Sequence, residues 1–536
     1  MSNTSPSTSY EQLPYPDMCY AQTHPGRLSA CARLLGLNPA PVERCRVLEL
    51  GCASGANLLP MADALPDSTF VGIDLSLRQI AEANRVVKDL GLRNISFAAM
   101  DIRDIPTDLG EFDYIIAHGV YSWVPPEVRD SLLAACRTHL APRGIAYVSY
   151  NAFPGWHAVQ GLREMMLYHI RQEHEPLERA KKARELLTFL AEAVADEHNQ
   201  AHGSAMVGYR DLLEQQLQDP RSQVDAVLLH DELEKHNDPV YFWQFAEHAA
   251  EHGLQFVVEA EFPLSVPSNL SDDVVKTLNE VCETIVETEQ YMDFVRNRAF
   301  RRTLLCHEEQ AVDRTLRTAR VRELAVSTRA ERVEEDGAEE EQATIARYRA
   351  SDGASFQTEH PLTIAAMDHL VRCAPQALPF DDLIRAATQR LDQDEPSEED
   401  ITRLAAGLLR AFTYSLPLVE LSGYAPALVT VVGERPLAFK MARYQAREGE
   451  WVANLRHERV HLDPVGRYIL PYLDGEHTLE DLMALLDELL VRDAQRRQVQ
   501  AQGGQAAAPT GAARERVREE LEATLEWLAR AALLVA

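Results

Sequence analysis

The first 150 residues alternate short apolar runs with amphipathic stretches, and this alternation limits the possible folds more than any other feature. The amphipathic stretches have apolar residues at helical spacing, and the one at 77–90 is followed by Gly91, a residue typical of helix ends. Strands that alternate with helices over short loops form parallel sheets covered by helices. We therefore predict a doubly wound α/β sheet with strands at 45–50, 69–73, 95–99, 112–117 and 145–150.

The pattern changes after residue 151, where helical stretches at 156–170 and 177–197 replace the alternation. A further helix at 242–252 is followed by apolar runs at 255–261 and 302–306, which predict a sixth and a seventh strand. The helices between 157 and 235 are then an insertion at the carboxyl edge of the sheet. Ligands bind at this edge in doubly wound folds.

Composition excludes several classes of protein. The 83 acidic residues exceed the 53 basic ones, and a net charge of −30 repels nucleic-acid phosphates in the absence of a large basic patch. No apolar run reaches the roughly 18 residues of a membrane span, and the polar residues 1–10 do not have the features of a secretory signal. The eight cysteines show no metal-site spacing, so we expect reduced thiols, no metal and a cytoplasmic location.

A glycine turn, Glu49-Leu50-Gly51-Cys52-Ala53-Ser54-Gly55, follows the first predicted strand and precedes a helix. Such a turn lets a ligand approach the backbone closely. A dinucleotide site would require G-x-G-x-x-G, but Ala53 and Ala56 stand where that pattern has its second and third glycines. S-adenosylmethionine carries no phosphate, and its amino-acid end requires only a tight turn and an acidic neighbour. We predict that Glu49 lies beside its ammonium group, with Gly51, Cys52, Ala53 and Gly55 forming the turn.

Acidic residues also follow the second and third strands. Asp74 ends the run VGID, where a carboxylate can bind both ribose hydroxyls, and Leu75 follows it. Met100 and Asp101 follow the third strand, where they can line the adenine ring and accept its amino group. The alternatives are a helix N-cap for Asp74 and a surface loop for Asp101. Three acids at the ends of successive strands favour the cofactor interpretation.

Aromatic and polar side chains cluster after the fourth and fifth strands, beside the expected methyl group. Methyl transfer to an amine requires a neutral nucleophile, and an aromatic pocket that excludes water lowers an amine's pKa. The alternative is that these rings pack in the core. His118 could act as a general base or as a hydrogen-bonding loop residue. The candidate acceptor-side residues are Tyr121, Trp123, Tyr150, Asn151 and Trp156.

Two further segments have open interpretations. Tyr15 and Tyr20 flank a turn near the start of the chain, and their segment could fold over the cofactor as a lid or dock loosely on the surface. Arg296, Arg298, Arg301 and Arg302 form a basic run that could make internal ion pairs or bind an acidic ligand.

The motifs ELGCASG, VGID, AMD and FDYIIAHGVYSWVP resemble those of the class I methyltransferases. The chain resembles more narrowly the bacterial group with a methyltransferase regulatory domain, which includes protein-lysine methyltransferases that act on rickettsial outer-membrane protein. The stretches QTHPGRL, SYNAFPGWH and EQYMDFVRNRAFRRTLLCH carry this narrower resemblance. It implies that Glu49, Gly51, Asp74, Asp101 and His118 contact the cofactor.

The expected fold is therefore a Rossmann-like, seven-stranded class I methyltransferase sheet with a helical insertion, followed by mainly helical, winged-helix-like C-terminal domains. Few basic residues lie on the helices of the C-terminal domains, which favours protein recognition or dimerisation over DNA binding. The predicted domains are a cofactor-binding core (1–156), the insertion (157–235), completion of the sheet in the regulatory-domain region (236–326), an acidic linker (327–345), and two winged-helix-like units (346–435 and 436–536).

The leading hypothesis is a methyltransferase that uses S-adenosylmethionine to N-methylate protein lysine side chains, with an envelope protein as a possible substrate and a homodimer as a possible state. The acidic chain suits a cationic protein segment as acceptor. The alternatives are a small-molecule methyltransferase with a closed pocket and a non-catalytic regulator that senses the cofactor.

Overall fold

The structure is a computed structural model that describes residues 12–195, 204–333, 345–392, 395–488 and 511–536. A sheet of seven strands lies at its centre in the order β3-β2-β1-β4-β5-β7-β6. Strands β1 to β5 are parallel, and β7 runs antiparallel between β5 and β6. The strands are β1 (Arg46–Leu50), β2 (Thr69–Asp74), β3 (Ile95–Ala99), β4 (Phe112–Ala117), β5 (Leu140–Asn151), β6 (Leu254–Glu259) and β7 (Phe300–His307). The predicted sheet is confirmed.

The helices of the core follow from the sequence pattern. α3 begins after Ser76, whose side chain accepts a hydrogen bond from Gln79 N, and it ends at Gly91 with φ of 62°. Residues 140–144 belong to β5, where Leu140 pairs with Phe112 across a β-bulge, and not to a turn before a strand at 145. The core helices are α1 (Pro25–Leu34), α2 (Leu58–Ala64), α3 (Leu77–Leu90) and α4 (Pro126–His139).

The insertion after β5 forms a helical layer with a hydrophobic core of its own. Leu162, Met166, Leu187 and Leu228 are buried together in it, and Leu13 of the N-terminal segment packs against them. The helices of the layer are α5 (Trp156–His169), α6 (Pro176–Ala195), α7 (Ser204–Gln218) and α8 (Asp225–Glu232). Within the described part of the chain, no helix is both long and apolar enough to cross a membrane.

A buried ion-pair cluster completes the sheet. α9 (Phe242–Glu251) packs on β6 and on α11 (Ile285–Arg296), and α10 (Asp272–Val281) lies between β6 and α11 in the chain. The fully buried Arg301 on β7 contacts Glu259 at 2.8 Å, Glu289 at 3.0 Å and Asp293 at 2.7 Å. Of the two interpretations of the basic run, internal ion pairing is the one confirmed.

The first C-terminal unit begins earlier than predicted. β8 (Ala325–Thr328) is buried and pairs with β12 (Leu378–Pro379) and β13 (Val419–Ser422), so the start of the expected linker at 327 is wrong. The charge run 334–341 lies outside the described residues. The remaining elements of this unit are β9 (Glu331–Val333), β10 (Ala346–Arg349), β11 (Ser355–Thr358), α12 (Pro361–Cys373), α13 (Phe380–Arg390) and α14 (Glu398–Thr413).

The second C-terminal unit combines helices with a small hairpin and packs on the core. Met441 N donates a hydrogen bond to Asp63 Oδ2 of α2 at 2.8 Å. Most of the predicted loop 501–511 lies outside the described residues. The elements of this unit are α15 (Lys440–Glu448), β14 (Trp451–Ala453), β15 (Arg459–His461), α16 (Pro464–Ile469), α17 (479–488) and α18 (Gly511–Arg530).

Candidate cofactor and acceptor site

The turn after β1 has a backbone that only small residues can adopt. Gly51, Ala53 and Gly55 have φ of 76°, 48° and 75°, in the left-handed region. A Cβ on Gly55 would lie 2.4 Å from Phe97 Cζ, and one on Gly51 would lie 2.6 Å from Val120 Cγ2. Both glycines are therefore required by sterics as well as by φ.

Asp74 at the end of β2 is tied to this turn. Its carboxylate accepts hydrogen bonds from Ala53 N at 2.9 Å and from Ser76 N at 2.8 Å. The side chain that caps α3 is that of Ser76, which accepts from Gln79 N. The N-cap alternative for Asp74 therefore fails, and its role as a ribose ligand stays a prediction.

Glu49 is a buried acid with an unsatisfied oxygen. Its Oε1 accepts a hydrogen bond from Asn57 Nδ2 at 2.7 Å, whereas Oε2 is buried with no hydrogen-bond partner among the described residues. Burial, against the lowering effect of the Asn57 hydrogen bond and with a smaller contribution from the nearby Asp74, raises the pKa of Glu49 to about 8. A cationic group beside Oε2 would supply the missing partner and favour the ionised carboxylate. The ammonium of an amino acid fits this requirement.

The third acid lies near the surface. Asp101 forms an ion pair with Arg103 at 2.6 Å, and this arginine lowers the pKa of the Asp101 carboxyl. Met100 N donates to Asp74 O at 2.9 Å, so the segment runs alongside the end of β2. Leu75 is 62% exposed. Cys52 is buried in the turn, and burial raises the pKa of its thiol. The roles of these four residues remain predictions.

His118 lies after β4 in an aromatic surrounding. Its Nδ1 shares a hydrogen bond with the Tyr147 hydroxyl at 2.9 Å, and the ring centroids of His118 and Tyr20 are 3.8 Å apart. Burial, with Arg302 and Arg221 nearby, lowers the pKa of His118 to about 3. The imidazole is therefore neutral and a poor proton acceptor. The hydrogen-bonding interpretation fits better than the general base.

The N-terminal segment crosses the glycine turn. Asp17 accepts a hydrogen bond from the Ser54 hydroxyl, and Tyr20 N donates to Asn57 Oδ1 at 3.0 Å. Further along, the Tyr15 hydroxyl lies 3.5 Å from Asp231 Oδ2 of the insertion. The geometry agrees with the lid interpretation of this segment. Sequence patterns gave no signal for Asp17 or Asn57, because neither belongs to a strand-end motif.

The five acceptor-side candidates fall into two groups. Tyr121 and Tyr150 pack with Phe245 in the core, and their hydroxyls are bound to His248 Nδ1 and Thr303 Oγ1, each at 2.9 Å. This is the core-packing alternative, so we correct the assignment of these two tyrosines to the acceptor side.

The other three candidates lie where the insertion meets the ends of β4 and β5. Trp123 Nε1 donates to Asp231 O at 3.4 Å, and the buried Asn151 donates to Asn237 Oδ1 at 2.9 Å. Trp156 Nε1 is buried with no hydrogen-bond partner among the described residues. Their role remains a prediction.

One group of described side chains could hold a metal ion. His248 on α9 and His252 directly after it face Asp130 of α4, with Nε2 atoms 3.7 and 3.0 Å from its Oδ1. Histidine–carboxylate pairing accounts for these contacts.

Known protein families match successive parts of the chain. Three family descriptions match it: "Methyltransferase domain" at 47–144, "Predicted methyltransferase regulatory domain" at 224–307 and "PKMT, C-terminal winged helix domain" at 434–533. The Rickettsia prowazekii protein RP789 is 33% identical over 489 residues, which cover 90% of this chain and 85% of RP789. RP028 of the same organism is 35% identical over 241 residues, 45% of this chain and 93% of RP028.

A solved structure extends the similarity to the whole molecule. PKMT2 from Rickettsia typhi, determined in complex with AdoHcy, superposes with a TM-score of 0.82 at 26% identity and covers 98% of this chain and 100% of PKMT2. This chain belongs to the class I S-adenosylmethionine-dependent methyltransferases. The methyltransferase carries its family's winged-helix domain on the side of the core where α2 lies.

Proposed function

We propose that this methyltransferase transfers the methyl group of S-adenosylmethionine to lysine side chains of a protein substrate. The observation that carries the proposal is the buried Glu49 Oε2, which has no partner among the described residues and lies next to a left-handed glycine turn tied to Asp74. The likeness to PKMT2, which extends through the winged-helix domain, supports a protein lysine acceptor.

The chain's own residues would bind the cofactor from three strand ends. Glu49 would pair with the ammonium, the left-handed turn at Gly51–Gly55 would lie against the amino-acid end, and Asp74 would accept from the ribose hydroxyls. Met100 lines the adenine, and Asp101 accepts from its amino group. S-adenosylmethionine supplies an activated methyl on a sulfonium, so the protein's main contribution is to align donor and acceptor.

The acceptor must arrive as a neutral amine. With an ordinary lysine pKa near 10.4, deprotonation at pH 7 costs about 4–5 kcal/mol. The rings of Tyr20, Tyr147 and Trp123 surround His118 and the insertion edge, where they would exclude water and lower the pKa of a bound lysine. His118, with its pKa lowered to about 3, does not take the proton, so the lysine loses it to solvent before transfer.

A small-molecule acceptor is the second candidate for the same site. The insertion and the N-terminal segment cover the turn from two sides, through Asp17–Ser54 and Tyr15–Asp231, and such cover also suits a closed pocket. The net charge of −30 favours a cationic protein instead. We also place the enzyme in the cytoplasm, with homodimerisation as a possible state.

Cofactor assignment is tested by thermal shift with S-adenosylmethionine and with NAD. We expect stabilisation by S-adenosylmethionine alone, because no second glycine makes room for pyrophosphate. Asp74→Asn should lose most of this stabilisation, whereas Asp67→Asn, an exposed residue before β2, should retain it. Stabilisation by NAD alone, or full affinity in Asp74→Asn, would contradict the proposed site.

The acceptor class is tested by incubating the enzyme with bacterial lysate and radiolabelled S-adenosylmethionine, followed by separation by size. We expect label in macromolecules, at lysine residues found by mass spectrometry of the labelled band. Label confined to metabolites would overturn the protein substrate and leave the small-molecule alternative.

A further inference from the structure

The winged-helix domain reaches the cofactor site through a single histidine. His457 lies in the turn between β14 and β15, and its Nε2 is 2.8 Å from Asn57 Oδ1 in the core. The two residues are 400 positions apart in the sequence, and both are buried. This hydrogen bond therefore joins the C-terminal domain to the segment that follows the glycine turn.

Asn57 is the centre of a buried network. Its Nδ2 donates to Glu49 Oε1 at 2.7 Å and to Thr23 Oγ1 at 3.0 Å. Its Oδ1 accepts from Tyr20 N at 3.0 Å, so the oxygen of the amide faces the N-terminal segment and His457. Since the amide oxygen can only accept, the His457 Nε2 must carry the proton. The amide thus has one orientation, and in it the carboxylate of Glu49 receives a donor.

The hairpin turn holds His457 firmly. His457 has φ of 60°, a left-handed conformation that a residue with a large side chain keeps only where its surroundings fix it. Asn454 Oδ1 accepts from the N–H groups of Arg456 and Glu458 on either side, at 2.9 and 2.8 Å. Burial, with His24 and Arg27 nearby, keeps the pKa of His457 well below its ordinary value. The imidazole is therefore a neutral donor.

Other contacts dock the two C-terminal units, this hairpin included, on the core. Arg27 of α1 lies 3.3 Å from Glu420 and 3.4 Å from Glu458, and Arg456 lies 2.5 Å from the same Glu420. Gly423 N also donates to Gly26 O at 2.8 Å. Because these contacts hold the two parts together without His457, the histidine is not needed for docking.

We propose that His457 is a positioning residue for cofactor binding. Through the Asn57 amide it orients Glu49 toward the amino-acid end of the cofactor, so that high affinity requires the winged-helix domain in its docked position. The inference rests on the proposed role of Glu49. It gives the C-terminal domain a part in the core's own site, beyond the protein recognition or dimerisation predicted for it.

Removing the His457 donor should weaken cofactor binding in a characteristic way. The Asn57 amide oxygen would keep Tyr20 N as a donor but lose the one from His457, so the amide would be held less firmly in the orientation that points its N–H group at Glu49. The loss of one buried hydrogen bond of this kind corresponds to roughly a ten- to hundredfold weaker affinity. Only ligands with the amino-acid group should be affected, because the ribose and adenine contacts lie elsewhere.

The experiment measures the Kd of AdoHcy and of 5′-methylthioadenosine, which has no amino-acid group, by calorimetry on the full chain. We expect His457→Leu to weaken AdoHcy by roughly ten- to hundredfold and to leave methylthioadenosine within about threefold. His457→Gln, which keeps an N–H near the same position, should restore AdoHcy binding. His461→Gln on the same hairpin is the matched control, since the half-exposed His461 side chain contacts Glu450 at 3.7 Å and the Trp451 ring, away from Asn57.

The outcomes separate the two proposals. A wild-type protein that binds neither AdoHcy nor 5′-methylthioadenosine would refute the proposed cofactor site itself. If the wild type binds AdoHcy and His457→Leu binds it equally well, or loses both ligands alike, then His457 has no positioning role. Should His457→Leu not fold, His457→Gln decides: AdoHcy binding weakened tenfold or more in this folded variant would contradict the donor role.

Discussion

The unusual ionisation of Glu49 makes cofactor affinity depend on pH. Burial raises its pKa in the free protein to about 8, so the carboxyl is largely protonated at neutral pH. An ammonium beside Oε2 would favour the ionised form and bring the pKa back toward its ordinary range. Binding therefore releases a proton, and affinity rises with pH wherever the free protein is protonated and the complex is not.

The expected size follows from the two ionised fractions. A carboxyl with a pKa of about 8 is about half ionised at pH 8 and about one per cent ionised at pH 6. If the bound carboxylate stays ionised over this range, the Kd at pH 6 is about 50-fold higher than at pH 8, which corresponds to about 2.3 kcal/mol. The ligand's own ammonium must stay protonated to pair with Glu49, so the pKa of that group sets the upper limit of the window.

The assay is calorimetric titration with AdoHcy at pH 6, 7 and 8, in two buffers of different ionisation enthalpy so that released protons are counted. We expect nearly one proton released per ligand at pH 6–7. Glu49→Gln, which cannot ionise, should bind more weakly with a Kd that varies little from pH 6 to 7. A wild-type Kd that is flat between pH 6 and 8, with no proton released, would refute the reasoning.

Two further changes test the framework around the site. Arg301→Met leaves three buried carboxylates without their main partner and should lower the free energy of unfolding, measured by urea titration, by about 3–5 kcal/mol. The control is Arg302→Met, which should lower it by at most about 1 kcal/mol because the pair of Arg302 with Glu261 is partly exposed. Similar losses would contradict the cluster's role. Gly55→Ala would place a Cβ 2.4 Å from Phe97 on a residue with left-handed φ, and we expect it to abolish measurable AdoHcy binding. Gly91 also has a left-handed φ, but a Cβ there would meet open space, so Gly91→Ala should only lower the free energy of unfolding by about 1–2 kcal/mol. Normal binding by Gly55→Ala would show that the turn tolerates a side chain.

The sheet could be predicted because its strands are apolar runs between turn residues, a signal that lies within a few neighbouring positions. The sequence pattern does not indicate β8, because this strand has only four residues and lies close to the charge run at 334–341. The start of β5 was misplaced because Pro142 and Gly144 are typical of turns, yet the strand accommodates them with a bulge. Local composition therefore predicted the regular elements better than the irregular ones.

The candidate site divides in the same way. The glycine turn and Asp74 follow strand ends, so the sequence pattern indicated them directly. The acceptor-side prediction for Tyr121 and Tyr150 is wrong because sequence position does not reveal which face of a sheet a side chain occupies. Within β5 itself, Tyr147 packs in the hydrophobic cluster on one face of the sheet and Tyr150 in the cluster on the other. The Asn57–His457 pair could not be found, since no spacing pattern links residues 400 positions apart.

The position of β7 has a consequence for biosynthesis. β5 leaves the ribosome long before its neighbour, and the Tyr150–Thr303 contact between the two strands spans 153 residues. Until β7 is made, β5 is an edge strand with unpaired backbone groups, the kind of surface that promotes aggregation. A nascent chain that stops anywhere in the insertion therefore exposes this edge. Truncated or slowly translated forms should depend on chaperones more than the finished enzyme does.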